Sequence, residues 1–313
     1  MSLISTPVNL APQGAVVGQL RAVDGVKLRA ARWTPEGTAR GTVALLGGRG
    51  EFIEKHFETI GDLLARGFCV AALDWRGQGG SERQLSNPMK GHIDDFSLYE
   101  RDFGAFVQDV LMPVCPRPWY GIGHSMGAAN LLMISHAGRC PFDRMVLTSP
   151  MIAIANVHRP KLTHFLIEAL DSVGLGGAFA PGGKNMPVGL LPFAGNPLTS
   201  DPVRFARMAS TLRADKAIGT GWPTVGWLHA AFRLMRQFAD YEYPLEILTP
   251  TLVIASGQDR VTETRATERF ASRLRAGRLI VIDGAQHEIL IERDRFRDQF
   301  WAAFDAFIPG SEP

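Results

Sequence analysis

Gly123-His124-Ser125-Met126-Gly127 sets a serine midway between two glycines, after the apolar run "WYGI" and before the small-residue stretch "GAANLLM". This G-x-S-x-G pattern suits a sharp strand-to-helix turn that exposes a serine hydroxyl. Only minimal side chains two residues before and after it escape collision with neighbouring backbone. A serine hydroxyl is a poor nucleophile near neutral pH, so it needs a general base that is itself oriented by a carboxylate. "TLVIASGQDRVTE" places Asp259 in the loop after one strand-like run, and "RLIVIDGAQHEIL" places His287 in the loop after the next. The order serine, acid, base is the one that such a turn requires. Asp283 is the alternative acid, four residues from His287 at the end of its own strand. His56, His92, His124, His136, His158, His164 and His229 lack this placement and read mostly as surface or packing residues; His124 is expected to point away from the serine.

Attack on a carbonyl builds negative charge on its oxygen, which backbone N–H groups can hold. One donor is expected from Met126, the residue after the nucleophile. The second is expected from the glycine-rich "LLGGRGE" (45–51), with Arg49 as the donor and a plain glycine turn as the alternative reading. The Arg49 side chain reads either as a partner for an anionic or zwitterionic head group or as a solvated arginine.

The elements that must carry these residues are legible as texture. Two strand-like runs flank Asp24-Gly25, a hairpin turn signal. "GTVALLGG", "GFCVAALD", "WYGIG", "RMVLTSP", "TLVIASG" and "RLIVIDG" are short, nearly continuous apolar runs that suit strands buried on both faces of a parallel sheet. Segments with helical apolar spacing separate most of them, as in 95–112, where Phe96, Tyr99, Phe103, Phe106, Val107 and Val110 share one side. The fold class is therefore α/β, with a mostly parallel central sheet flanked by helices. From Met151 to about Pro250 no buried-strand run occurs. Residues 161–173 read as an amphipathic helix with Leu162, Phe165, Leu166, Ala169, Leu170 and Val173 on one face. A Gly/Pro-rich irregular stretch follows, then Asp201-Pro202 as a helix start, then a helix from about Pro223 to Phe238. We read residues 1–150 and 251–313 as the core and 151–250 as an inserted helical cap, the alternative being a separate helical domain.

Composition narrows the function class. The chain has 33 basic and 31 acidic residues, a net charge of +2, and its arginines are scattered singly, so no nucleic-acid surface is expected. Cys69, Cys115 and Cys140 have no metal-like spacing and read as reduced structural thiols. The N-terminus has neither the basic nor the apolar region of a signal peptide, and no stretch has the length of a membrane span. The protein reads as cytoplasmic, with brief contact at the inner face of the membrane compatible with its apolar cap residues. No metal or cofactor is implied, and the oligomeric state is open.

The chain resembles α/β-hydrolases of the lysophospholipase and monoacylglycerol-lipase type, over roughly residues 15–308. Besides "GHSMGA", the resemblance rests on "GFCVAALDWRGQGGSER", similar to the family's Asp-x-Arg-Gly-x-Gly-x-Ser loop. It rests also on "NPLTSDPVRF" and "PTVGWLHAAFR" in the cap, and on "SGQDRVT" and "GAQHEIL" for the acid and base loops. It implies Ser125 as nucleophile, Asp259 as acid, His287 as base, and the N–H groups of Arg49 and Met126 as oxyanion donors. Many relatives carry His-Gly where this chain has Gly47-Gly48; the donor is backbone, so activity need not suffer. The "GGRGE" loop and the cap look more like bacterial lysophospholipases than mammalian glycerol-ester lipases, and Asp74-Trp75-Arg76-Gly77 is expected to be structural.

The expected activity is cleavage of an acyl ester of a lysophospholipid or monoacylglycerol, through an acyl-enzyme. Phe165, Leu166, Leu170, Phe179, Leu190, Leu191 and Phe193 are candidates for an acyl tunnel. The alternatives are a proline iminopeptidase-like aminopeptidase, another carboxylesterase on the same fold, and, least favoured, a non-catalytic hydrolase-fold protein. The scatter of Glu168, Asp171, Asp201, Asp215, Asp240 and Glu242 weakens the aminopeptidase. A dehalogenase is disfavoured because its nucleophile would be an aspartate where Ser125 stands.

Overall fold

The computed structural model describes residues 2–157 and 159–311. His158, one of the histidines set aside above, lies outside them. Among the described residues eight strands form one sheet: β1 (Val16–Arg21), β2 (Lys27–Trp33), β3 (Thr42–Leu46), β4 (Cys69–Asp74), β5 (Trp119–His124), β6 (Arg144–Thr148), β7 (Thr251–Ser256) and β8 (Gly277–Ile282), in the order β1-β2-β4-β3-β5-β6-β7-β8. β2 runs antiparallel to both β1 and β4, and every other neighbour is parallel. The Asp24-Gly25 turn joins β1 to β2, with Gly25 at φ 86°.

Each apolar run named above contains one of these strands. β3, β4, β5 and β7 are buried along their whole length. β8 differs: Arg278, Ile280 and Val281 are exposed, because it is the edge strand and has a neighbour on one side alone.

The helices are α1 (Phe57–Ala65), α2 (Ser97–Phe106), the short α3 (Met112–Val114), α4 (Met126–His136), α5 (Pro160–Leu170), α6 (Pro202–Ala214), α7 (Val225–Phe238), α8 (Thr264–Ala271) and α9 (Asp294–Phe307). The alternation of side chains along a strand divides the core in two. Ala44 and Leu46 of β3 join Tyr99 and Phe103 of α2, the apolar side of α4, and Trp227 of α7. Val43 and Leu45 face the other way, onto Ile60 and Leu63 of α1 and Phe300 and Phe304 of α9. Each large side chain buried in this way contributes about 1.5–3 kcal/mol.

Between β6 and β7 the chain is helical, and its helices dock unequally. α7, capped by Thr224 Oγ1 on the Trp227 N–H at 3.1 Å, buries Trp227, Phe232, Leu234 and Phe238 among others. α6 starts as expected, with Asp201 Oδ1 accepting from the N–H groups of Val203 and Arg204. It sets Phe205, Met208 and Leu212 on Phe52 and Ile218. α5 departs from expectation. It buries Ile167 alone, while Leu162, Phe165, Leu166 and Val173 of the face expected to pack are 47–73% exposed. The side of α5 that docks is the one carrying His164, whose ring stacks on Phe232 of α7 at 3.9 Å. Among the described residues no helix is long and apolar enough to cross a membrane.

Candidate active site

The sheet register brings the carboxyl ends of its parallel strands together. Leu46 lies beside Gly123, His124 beside Thr148, and Ser256 beside Ile282. Such an edge is where α/β sheets hold their ligands.

Ser125 occupies the turn from β5 to α4 at φ 50°, ψ −113°, a backbone conformation that side chains rarely adopt. The flanking glycines are there for space. A Cβ on Gly123 would come within 2.9 Å of Ala128 Cα, and one on Gly127 within 2.3 Å of the Leu46 carbonyl oxygen. Either would push α4 away from the sheet and take the serine with it. The turn is pinned by the Ser125 N–H donating to the Thr148 carbonyl at 3.0 Å, and by the Ser125 carbonyl accepting from the Ala129 and Met151 N–H groups.

His287 Nε2 lies 3.0 Å from Ser125 Oγ, and its Nδ1 lies 2.8 Å from Asp259 Oδ2. Both bonds are satisfied when Nδ1–H donates to Asp259 and Nε2 accepts the serine hydroxyl. Asp259 is held in turn by the N–H groups of Val261 and Thr262 on Oδ1 and by Thr262 Oγ1 on Oδ2. Burial opposes its charge, but His287 and these donors keep its carboxyl below the usual aspartate range. Burial likewise disfavours the imidazolium, yet the Asp259 carboxylate, helped by Glu288 and Glu51, raises His287 above its ordinary value. The base loop is tied back by Ser149 Oγ donating to the His287 carbonyl at 2.8 Å. Asp283, the alternative acid, is exposed at the end of β8, and among the described residues it makes no bond to His287.

The loop after β3 closes against the serine. A Cβ on Gly48 would lie 3.1 Å from Ser125 Cβ. Trp75 Nε1 donates to the Gly47 carbonyl at 3.0 Å, the Gly48 N–H donates to the Glu51 carboxylate, and the Gly50 N–H donates to Gln78 Oε1. The N–H of Arg49 takes part in none of these bonds. That of Met126, at the first position of α4, has no carbonyl to meet within its helix. The arrangement therefore offers a hydroxyl, a base to deprotonate it, and unengaged N–H groups nearby, which is what acyl transfer requires.

The Arg49 side chain is partly buried. Its Nη1 donates to the Gly221 carbonyl at 2.9 Å and its guanidinium lies 5.4 Å from the Trp227 ring centroid. No carboxylate pairs with it among the described residues, and burial pulls it down to about 10. Arg29, Arg76, Arg204 and Arg297 by contrast each pair with two or more carboxylates. The Asp74 loop has the structural place expected of it: Asp74 accepts from Arg29 Nε at 2.6 Å and from the N–H groups of Ile53 and Gly80.

Two expectations need correction. His124 does not turn out of the site. As the last residue of β5 it is held by Thr148 Oγ1 at the end of β6, at 3.0 Å. Its ring thereby packs beside the base loop, 4.8 Å from that of His287. The residues proposed for an acyl tunnel do not line the cavity that borders Asp259. That cavity, of about 680 Å³, is lined by Ile152, Pro160, His164, Phe232, Met235 and Asp259 among others. Leu166 and Phe165 point outward instead.

Sequence reasoning missed Glu51, Lys55 and Glu288, which are buried beside the triad with His56 and His124. The signal in the sequence is thin: a glutamate closing "GGRGE" and another directly after His287. The other histidines fill ordinary roles: His92 bonds Thr224, His136 stacks on Tyr243, and His229 pairs with Asp171.

The family model described as "Serine aminopeptidase, S33" matches residues 37–294 of the chain. Lysophospholipase L2 of Escherichia coli (strain K12) is 33% identical over 292 residues, spanning 89% of this chain and 83% of that one. The monoacylglycerol lipase of Mycolicibacterium smegmatis is 26% identical over 278 residues, spanning 87% and 90%. Among solved structures, a soluble variant of monoglyceride lipase from Saccharomyces cerevisiae, in complex with a substrate analog, has the same fold: the TM-score is 0.75 at 18% identity over 96% of this chain and 98% of that one.

Proposed function

The chain belongs to the serine aminopeptidase S33 family as an α/β-hydrolase of the lysophospholipase and monoacylglycerol-lipase type, a carboxylic-ester hydrolase. On that premise we propose that it releases the acyl chain of a lysophospholipid or monoacylglycerol through Ser125, His287 and Asp259. The observation that carries the reading is the unbroken series of bonds from Ser125 Oγ through His287 to Asp259, at 3.0 and 2.8 Å.

Ser125 Oγ attacks the ester carbonyl while His287 Nε2 takes its proton, and Asp259 stabilises the imidazolium. The oxyanion is received by the N–H groups of Arg49 and Met126. As the tetrahedral intermediate collapses, His287 returns the proton to the departing glycerol oxygen and the acyl group stays on Ser125. Water then attacks the acyl-enzyme, with His287 again as base, and releases the fatty acid. Asp259 Oδ2, accepting from His287 Nδ1–H, keeps the imidazole in the tautomer that both half-reactions need.

The lysophospholipid takes precedence because of Arg49. A guanidinium without a carboxylate, borne on the oxyanion loop, suits a phosphate attached to the same glycerol as the ester. Residues 1–150 and 251–313 then serve as the catalytic core and 151–250 as the cap, whose exposed Leu162, Phe165 and Leu166 suit brief contact with a lipid surface. The free thiols Cys69, Cys115 and Cys140 fit a cytoplasmic setting. An aminopeptidase would need an uncommitted acid in the cap. Asp171 is bonded to His229 and Asp201 caps α6, which removes these two from that role.

The test is fatty-acid release from lysophosphatidylcholine, lysophosphatidylethanolamine and monoacylglycerol, alongside cleavage of a proline anilide. We expect turnover of the lysophospholipids, lost by about 10⁴-fold or more in Ser125→Ala. Arg49→Met should lower the ratio of lysophospholipid to monoacylglycerol turnover. Cleavage of the anilide alone would overturn the reading in favour of a peptidase.

A further inference from the structure

Three loops at the carboxyl edge of the sheet each send a polar side chain to one buried point beside the triad: Glu51 after β3, His124 at the end of β5, and Glu288 after β8. Lys55 joins them. Its Nζ bonds the Glu51 carboxylate and lies 2.6 Å from Glu288 Oε2. Glu288 Oε2 lies 3.4 Å from His124 Nε2, and His56 Nε2 lies 3.2 Å from Glu51 Oε2. All five residues are at least nine-tenths buried.

The cluster is costly by its nature, since desolvating charges opposes folding unless partners compensate closely. Ligand atoms of Glu51, His124 and Glu288 lie within 4.8 Å of one another, a spacing that could hold a cation. Here the Lys55 ammonium already bonds both carboxylates, so the cation is built into the chain. Both anchors belong to the reaction. Glu51 grips the oxyanion loop through the Gly48 N–H, and Glu288 directly follows the base.

We propose that Lys55 is a positioning residue: by bridging Glu51 to Glu288 it locks the oxyanion loop to the base loop, keeping N–H donors and imidazole at one separation, while the surplus negative charge of the pair supports the His287 imidazolium. This rests on the serine-hydrolase reading above.

The electrostatics agree with the geometry. Glu288 faces Lys55, Glu51, His124 and His287, with His56 behind Glu51. Burial and the neighbouring Glu51 push Glu288 up to about 7, against the pull of Lys55, so its support of the His287 imidazolium is present above that pH and fades as the carboxyl takes a proton below it. Lys55 stays charged because Glu288 and Glu51 outweigh its burial. Burial drives His124 down to about 3, so its ring stays neutral and adds no positive charge against His287.

The experiment compares Lys55→Met, Glu288→Gln and the double variant with wild type, on a soluble short-chain p-nitrophenyl ester across pH. Lys55→Met should lower kcat by about 10²-fold with KM little changed, the scale of a misplaced donor. Glu288→Gln should move the acid limb of kcat/KM to lower pH, because His287 loses a neighbour that favours its charged form; a merely structural role would not move that limb. Lys55→Met alone leaves two carboxylates facing each other and can unfold. The double variant removes one of the two carboxylate charges and restores the net charge of the wild-type cluster, so its folding is checked by near-UV circular dichroism and its kcat decides. A folded double variant with wild-type kcat and an unmoved acid limb overturns the proposal. A fluorophosphonate probe separates the two levels: absence of Ser125 labelling in wild type sinks the serine-hydrolase reading, whereas labelling of wild type and double variant at equal rates sinks the role of Lys55 alone.

Discussion

Every residue of β3, β5 and β7 is buried, whereas α5, in the segment between β6 and β7, buries Ile167 alone and turns Leu162, Phe165 and Leu166 to solvent. At the strand ends each side chain of the proposed triad is fixed by polar bonds. Asp259 accepts from two backbone N–H groups, a hydroxyl and an imidazole. Among the described residues, Leu162, Phe165 and Leu166 of α5 have no such partners. Chemistry that tolerates little displacement sits where backbone and buried ions set positions. An apolar surface with the proposed role of meeting a fluid lipid assembly has no need of one arrangement.

The comparison predicts effects that differ in kind as well as size. Asp259→Asn should lower kcat by about 10⁴-fold through the wrong imidazole tautomer, and by the same factor on a soluble ester and on micellar lysophospholipid. Steady-state kinetics on both substrates checks this; a loss confined to micelles would erase the distinction between the two regions. Asp74→Asn, away from the reacting atoms, leaves the buried Arg29 short of a partner. It should destabilise the fold by about 3–5 kcal/mol, measured by denaturant unfolding. A change of less than about 1 kcal/mol would mean that the ion pairs at the strand ends are dispensable. The smallest effect belongs to α5. Phe165→Ser with Leu166→Ser should lower the ratio of micellar to soluble-ester activity by about tenfold, equivalent to roughly 1.4 kcal/mol of lost apolar contact. An unchanged ratio would leave the exposed face without a part in substrate access.

The sheet is the part of the molecule most legible from sequence, because burial on both faces leaves little but apolar residues and "TVALL" has few other readings. Ser125, Asp259 and His287 are legible for another reason: each sits just past a strand, in an order the topology dictates. What stays hidden depends on side chains from distant segments meeting. Glu51, Lys55 and Glu288 look like surface charges in "GGRGEFIEKH" and "QHEIL", since nothing in either stretch says that the other lies 2.6 Å away. The α5 face illustrates a second limit. Apolar spacing reveals that a helix has an apolar side, but not what covers that side. His124 shows a third, since the strand-end ring had two directions open and its bond to Thr148 selects one.

The backbone of Ser125, at φ 50°, has a consequence for the whole chain. A non-glycine residue in such a conformation costs about 1–3 kcal/mol, against a total folding stability of only about 5–15 kcal/mol. Glycine at this position would adopt the same turn with little strain. The chain would then be sturdier and, on the role proposed for Ser125, inert, so selection for durability alone would drift away from catalysis. On the nucleophilic role proposed for Ser125, its uncomfortable turn is where function overrules thermodynamic preference.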